Sequence, residues 1–291
     1  MMENQDYSRI KEIIKDIHQL PTLPAIYSRL NKMIANPKST ARSISQIIEE
    51  DQALTTKILR IINSAFYSFP QKVSSISHAV VILGFSEIKN IALAASVIDL
   101  FQNGGDTYCF KHEAFWEHSL AVAVCSRIIA KKVGVKKIKD SEEAFTSGLI
   151  HDIGKLIEDQ FMHNEFIEVM KMCNEEDVPL IKAEKKIIGV THQEVGKFLA
   201  EKWKLPANLV EIIGGHNTPD LESSGDKSYI LSVIHLANII VHVLEIGFSG
   251  DPFVPPLDKK CWQCLELSKD DLSDIMEETE KGYEEVTGLM K

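Results

Sequence analysis

The segment Gly148–Lys155 reads Gly-Leu-Ile-His-Asp-Ile-Gly-Lys. It sets an imidazole beside a carboxylate, with an ammonium three residues on. Three more of the ten histidines stand in distinctive settings. His118 interrupts the apolar run Trp116-Glu-His-Ser-Leu-Ala, His192 opens Thr191-His-Gln-Glu-Val-Gly196, and His216 follows Gly214-Gly215. Neutral imidazoles with one carboxylate form a donor set for Fe²⁺, Mn²⁺, Ni²⁺ or Zn²⁺ rather than Ca²⁺ or Mg²⁺. Neighbouring His151 and Asp152 on a helix would point about 100° apart, so both can touch one ion beside it. Lys155, one turn further, can pair with a phosphate oxygen. Glycine inside a helix costs roughly 1 kcal/mol relative to alanine. Gly148 and Gly154 are therefore expected to serve a close approach by another helix or a ligand.

These signals differ in specificity. A single histidine on an apolar helix is ordinarily a core residue, and His118 alone carries no more than that. The HD-x-G-K run is far more specific and points to metal-site ancestry. His18, His78, His112, His163 and His242 read as surface or core residues. Cys109, Cys125 and Cys173 lie singly in apolar patterns and read as small core side chains. Cys261-Trp-Gln-Cys264 is a lone CxxC. A structural zinc site needs four ligands, so these two read as plain thiols, with no role assigned.

The elements that must position these residues are helical nearly throughout. Apolar stripes run over Tyr7–Leu20 and Ile26–Ile34, each closed by prolines. Ser43 and Gln46 suggest a capping box ahead of Ile47. Asp51 caps a helix through Ile62, Gly84 ends one, and Ser86 caps the next, which reaches about Phe101. A long helix from about Glu113 to Val133 carries His118 and closes at Gly134. Ser141 caps the helix leading to His151. Thr191 and Glu194 form a capping box for a helix from His192 to Trp203. A short helix ends at Gly214-Gly215, a buried one covers Ser228–Gly247, and Ser268 caps an acidic last helix, which reads as a solvated face. Few alternating patterns suggest strands, and no period of 20–50 residues marks a repeat.

The 291 residues carry 44% hydrophobic and 25% charged side chains, an ordinary globular composition. The net charge is −10, a poor match for nucleic-acid phosphates. Residues 1–105 carry 11 basic and 9 acidic side chains, while the remainder carries 21 and 33. That asymmetry, with Asn103-Gly104-Gly105, marks a boundary. Three parts are expected: a helical N-terminal lobe over 1–105, a helical lobe with the histidines over 106–250, and a loop with an acidic helix over 251–291. The first residues lack a basic and apolar leader, and no run of about 18 apolar residues occurs. A reduced, cytoplasmic chain is the expectation, with no membrane and no DNA among its partners.

Taken together, Gly148–Lys155, His118, His192 and His216 resemble the HD superfamily of metal-dependent phosphohydrolases. The match to the HD-GYP branch is partial. The resemblance to the HDOD family, the HD-related output domain, is closer and spans about residues 15–245. Leu20-Pro-x-Leu-Pro24, Asp51 to Asn63-Ser64 and Ala79-Val-x-x-Leu-Gly84 are similar to that family's hallmarks. The resemblance implies an all-α, multi-helix HD-like fold with a helical N-terminal lobe, and a role in bacterial signalling. It assigns His118, His151, Asp152, His192 and His216 as metal ligands, and Asp152 and Lys155 as the catalytic pair. Three positions depart from the pattern. Gly215 stands where a second histidine is expected, Asn238 where a late aspartate is, and Ala114 where some two-metal sites have an acid. His235 lies close enough in sequence to compensate at Asn238. These losses favour one divalent transition ion over two, and two-metal phosphodiester cleavage needs both oxygens stabilised.

Two functions compete. The first is a regulatory module whose degenerate HD site binds a nucleotide-like ligand or a signalling protein partner without turnover. Phe66, Tyr67 and Phe69 are contact candidates, although packing between helices is the simpler reading for them. The second is a metal-dependent phosphohydrolase acting on a nucleotide or cyclic dinucleotide, with one ion activating water and Lys155 on the phosphate. The first is favoured. Metal-dependent turnover lost in Asp152→Ala separates them.

Overall fold

A computed structural model describes residues 20–63, 67, 69–101, 110–134, 141–224 and 228–286. Among these, every regular element is a helix. They fall into two compact units, one mainly of Thr22–Gln102, to which the residues from Glu278 on are assigned, and one mainly of Asn103–Glu277, to which those up to Pro21 are assigned. The expected helix over Tyr7–Leu20, Phe66, Cys109, His18 and the Gly104-Gly105 boundary lie outside the described residues.

The first unit holds α1 (Ala25–Ile34), α2 (Ala41–Glu49), α3 (Gln52–Ile62), α4 (Ile76–Leu83) and α5 (Phe85–Phe101). Its core is almost wholly aliphatic: Leu30, Ile44, Ile48, Ile58, Ile62 and Ile88 are fully buried. Each such side chain stabilises the unit by about 1.5–3 kcal/mol relative to exposure. Asp51 caps α3 through Leu54 N at 3.0 Å, as expected. The α2 cap differs from expectation. Thr40 is the N-cap, and Ser43 is its reciprocal partner rather than the cap itself. Thr40 Oγ1 accepts from Ser43 N at 3.2 Å, and Ser43 Oγ accepts from Thr40 N at 3.0 Å, so the helix starts at Ala41. Gly84 separates α4 and α5 with φ of +87°, a left-handed conformation that suits glycine. α5 starts at Phe85, immediately after it. Tyr67 joins this core and stacks on Phe69 at 6.1 Å, as the packing reading expects.

The second unit contains α6 (His112–Val133), α7 (Ser141–Ile150), α8 (Ile153–Phe161), α9 (His163–Glu176), α10 (Leu180–Ile187), α11 (His192–Lys202), α12 (Ala207–Gly215), α13 (Leu221–Ser224), α14 (Ser228–Val243) and α15 (Lys259–Leu265). A last helix, α16 (Lys269–Val286), follows Ser268, whose Oγ accepts from Asp271 N at 3.1 Å. α6 packs on α7 and α14, α8 packs on α11, and α11 on α12. α14 ends at Val243, short of the expected Gly247. Cys125, Cys173 and Cys261 are buried thiols and Cys264 is half-buried. Burial pushes Cys173 up to about 12 and Cys261 up to about 11, so Cys261 is a poor thiolate. No described helix is long and apolar enough to cross a membrane.

Candidate metal centre

His151 and Asp152 do not lie within one helix. α7 stops at Ile150, the two residues form a turn, and α8 begins at Ile153. The apolar periodicity of Leu149, Ile150, Ile153 and Leu156 runs across this break, which hides it in sequence. The turn lets both side chains enter the interior, where each is fully buried.

The two flanking glycines serve helix packing. A methyl on Gly148 would lie 2.8 Å from Ala123 Cα, so α7 is pressed onto α6. A methyl on Gly154 would overlap the His192 carbonyl, so the start of α8 is pressed onto the start of α11. The first contact sets the His151 turn against the helix that carries His118. The second brings His192 to Asp152.

α11 begins in the expected capping box: Thr191 Oγ1 accepts from Glu194 N at 3.3 Å, and Glu194 Oε2 accepts from Thr191 N at 2.7 Å. His192 donates twice to Glu184 of α10, from its backbone N at 3.1 Å and from Nδ1 at 2.7 Å. His216 caps α12 and donates Nδ1–H to Ile213 O at 3.2 Å. His151 donates Nδ1–H to Gly148 O at 2.7 Å. All three imidazoles therefore carry their proton on Nδ1 and aim the Nε2 lone pair inward. Fixing a ligand's tautomer from the far nitrogen is how outer groups prepare metal-binding histidines.

Asp152 is the convergence point. Its Oδ1 lies 3.1 Å from His216 Nε2 and 3.4 Å from His192 Nε2. Its Oδ2 lies 3.2 Å from His151 Nε2 and accepts from Lys155 Nζ at 2.7 Å. Burial raises the Asp152 carboxyl. The surrounding imidazoles and the Lys155 ammonium outweigh it and hold the group well below the usual carboxylate range. Burial pushes His216 down to about 3, although Asp152 opposes it. Burial also drives His118 well below its ordinary value, with His242 and His151 adding to the effect. A neutral His118 and His216 beside an ionised Asp152 are the protonation states a metal requires.

Two groups of donors can hold an ion: Asp152, His192 and His216, and His118, His151 and Asp152. Two donors on one tetrahedral ion at about 2.0–2.1 Å lie roughly 3.3 Å apart, close to the separations around Asp152 Oδ1. His151 Nε2 and Asp152 Oδ1 are buried and have no hydrogen-bond donor among the described residues. Orphaned buried acceptors are costly, and a divalent cation satisfies both. The residues fit such an ion.

The HDOD domain profile matches residues 20–219 of the chain. The chain belongs to the HDOD family. The HDOD chain is 22% identical over 245 residues to an uncharacterized protein of Treponema pallidum, covering 84% of this chain and 46% of that one. It thus spans about half the length of that curated relative. A crystal structure of an HDOD domain protein of unknown function from Geobacter sulfurreducens superposes with a TM-score of 0.80 at 24% identity, covering 98% of each chain. A Marinobacter aquaeolei structure, assigned by inference to signal transduction, gives a TM-score of 0.78 at 19% identity, covering 99% of this chain and 65% of that one. At these identities the likeness speaks for the fold, which is the all-helical HDOD fold.

The structure brings the sequence-derived residues His118, His151, Asp152, Lys155, His192 and His216 into one buried cluster of the HDOD chain. His118 lies at its far edge, with Nε2 3.0 Å from Asn238 Oδ1. His235 does not compensate for Asn238. Its Nδ1 donates to His216 O at 2.7 Å and its Nε2 accepts from Asp258 N at 2.9 Å, so both ring nitrogens are engaged by backbone. Gly215 has room for a side chain, with only Leu231 within 4 Å; the missing histidine is not excluded by packing.

Four contributors escaped sequence reading. Glu184 orients His192. Glu158 is fully buried beside it, and burial together with the Glu184 charge raises its carboxyl well above the ordinary value. His242 meets the His118 ring edge-on at 4.7 Å, donates to Asn238 O at 2.8 Å and accepts from Ser249 Oγ at 3.0 Å. Asn217 lies against His192 and His216. A signal existed for Glu184, because it shares the apolar stripe of Leu180, Ala183 and Ile187. Asn217 and His242 had none.

Proposed function

We propose that this HDOD chain is a regulatory module of a bacterial, cytoplasmic signalling system, acting on a protein partner through a degenerate HD site that takes one divalent transition ion. His192, His216 and Asp152 would hold the ion, which would supply a positive centre for an anionic ligand such as a nucleotide phosphate. Lys155 Nζ, 2.7 Å from Asp152 Oδ2, adds a second positive group at the same place.

The observation that carries this reading is the charge inventory around Asp152. Among the side chains of both donor groups, Asp152 is the only carboxylate. Asn238 brings a neutral amide to His118, and Lys155 already pairs with the Asp152 carboxylate. Two dications at this spacing would repel with little compensation. One ion leaves the cluster net positive and suited to an anion. With a single ion, one of the two oxygens of a displaced phosphodiester lacks a metal partner, which favours binding over turnover. The signalling assignment of the Marinobacter relative supports the same direction.

One observation favours a single-ion hydrolase as the second reading: the Lys155 ammonium is held inside the cluster, fully buried, where a phosphate oxygen would need it. The two readings separate in an assay of a generic aryl phosphodiester with Mn²⁺, Fe²⁺ or Ni²⁺. The regulatory reading expects no turnover above that of Asp152→Ala. Sustained metal-dependent hydrolysis abolished by that substitution would replace it with the hydrolase.

A further inference from the structure

Ring nitrogens of both donor groups are joined by a chain of hydrogen bonds with a defined direction. His118 Nε2 lies 3.0 Å from Asn238 Oδ1. Asn238 Nδ2 donates to Asn217 Oδ1 at 3.2 Å. Asn217 Nδ2 lies 3.2 Å from His192 Nε2 and 3.1 Å from His216 Nε2. The polarity of each step is set from the far end. His192 and His216 have given their Nδ1 protons to Glu184 and Ile213 O, so both Nε2 atoms accept, and the two Asn217 N–H bonds serve one each. The Asn217 carbonyl then faces Asn238 Nδ2, and the Asn238 carbonyl faces His118, which must donate from Nε2. An Asn side chain has one accepting and one donating end, so no link can reverse alone.

We propose that Asn217 and Asn238 form a two-state amide relay that allows an ion at Asp152, His192 and His216 only when the His118 group is closed. The proposal rests on the metal reading above. An ion on His192 and His216 cannot share their lone pairs with an amide N–H, so Asn217 turns and presents its carbonyl. Its N–H bonds then face Asn238, which turns in the same way. The Asn238 N–H then points at His118 Nε2, which accepts and carries its proton on Nδ1. His118 then has no free lone pair, because Nε2 accepts that N–H and Nδ1 carries the proton, and the second donor group is closed. In the opposite polarity, the one described here, the Asn238 carbonyl holds the His118 proton on Nε2, so His118 offers its lone pair at Nδ1, while the Asn217 N–H bonds cap His192 and His216. Either direction opens one group and caps the other. The relay is an element with two discrete arrangements, as coupling between sites requires.

The test combines Zn²⁺ affinity, by competition with a chromophoric chelator, and imidazole tautomers, by long-range ¹⁵N NMR, on the full chain. After chelator treatment the wild type should show His118 as the Nε2–H tautomer and His192 and His216 as Nδ1–H. One equivalent of Zn²⁺ should convert His118 to Nδ1–H. Asn217→Ala removes the group that the ion must displace, so affinity should rise about tenfold and His118 should no longer respond to Zn²⁺. Asn217→Asp, which keeps the shape and lacks the donor, should also bind more tightly. It serves if the alanine variant folds poorly. Weaker binding in both variants, with unchanged His118 behaviour, would overturn the relay and leave the metal reading standing. No Zn²⁺ binding by the wild type or either variant would overturn the metal reading and the relay with it.

Discussion

The two units of this chain bury different things. Over the stretch Thr22–Gln102 the buried Ser, Thr, Asn, Gln and charged side chains among the described residues are two serines, Ser45 and Ser96. The unit within Asn103–Glu277 holds every buried Asp, Glu, His, Lys and Arg side chain among the described residues, including His118, Arg127, His151, Asp152, Lys155, Glu158, Glu184, His192 and His216. The first unit is held by aliphatic area. The second gathers around Asp152 charged and polar groups whose desolvation carries a cost that aliphatic burial does not. Residues that weaken a fold and converge on one point mark function, because real sequences break local rules chiefly at such sites. The difference also separates two kinds of substitution: those that cost stability alone, and those that exchange stability for binding.

The largest expected effect is at Asp152. Asp152→Ala leaves Lys155 as a buried cation without its 2.7 Å partner, and breaking a buried pair costs roughly 3–5 kcal/mol. Adding Lys155→Met should restore most of that loss in urea denaturation while ion binding stays absent. A double variant as unstable as the single one would show that the cost lies elsewhere. Next comes Ile58→Ala in the aliphatic unit, fully buried, with an expected loss of about 2–5 kcal/mol from transfer and cavity effects. Ion binding per folded molecule should not change, and a changed affinity would break the separation between the units.

The pattern-driven unit was the easier to read in sequence. Its stripes, the Asp51 cap and the Gly84 break follow from local periodicity, and its two shifted starts, Thr40 for Ser43 as cap and Phe85 ahead of the expected Ser86 cap, move helix ends by a few residues. The cluster was legible where chemistry is clustered in sequence, in Gly148–Lys155 and the capped His192. His118 carried weight only through the family resemblance. Asn217 and His242 reach the cluster through tertiary packing of the end of α12 and of α14, which local pattern does not encode, while Glu184 was marked only by its place on the apolar stripe of α10. The break at His151-Asp152 was invisible because apolar spacing continues through it.

A smaller and graded effect concerns acid, in chelator-treated protein. His216 falls to about 3 when folded, so the unfolded chain binds its proton first. Its contribution is fully present above about pH 6.5 and is lost at up to about 1.4 kcal/mol per pH unit as pH falls toward 3. Stability measured across that window should decline less steeply in His216→Asn. Equal slopes would place the acid sensitivity in other groups. The smallest effect is at Glu158, whose folded carboxyl is raised. That contribution is present below the unfolded carboxyl pKa and fades as pH rises through the raised value. Glu158→Gln, which cannot ionise, should be neutral or stabilising by about 1 kcal/mol at pH 8. A loss of several kcal/mol there would mean that Glu158 stabilises the unit as a carboxylate.

The central claim is that the buried histidines and Asp152 form a seat for one divalent ion. The most direct measurement is the metal content of the purified, untagged chain, before and after incubation with Fe²⁺, Mn²⁺, Ni²⁺ and Zn²⁺, beside Asp152→Ala and His192→Ala. One equivalent of transition metal in the wild type, absent from both variants, is the expected result. No retained metal under any of these conditions, or two equivalents that survive His192→Ala, would contradict the account.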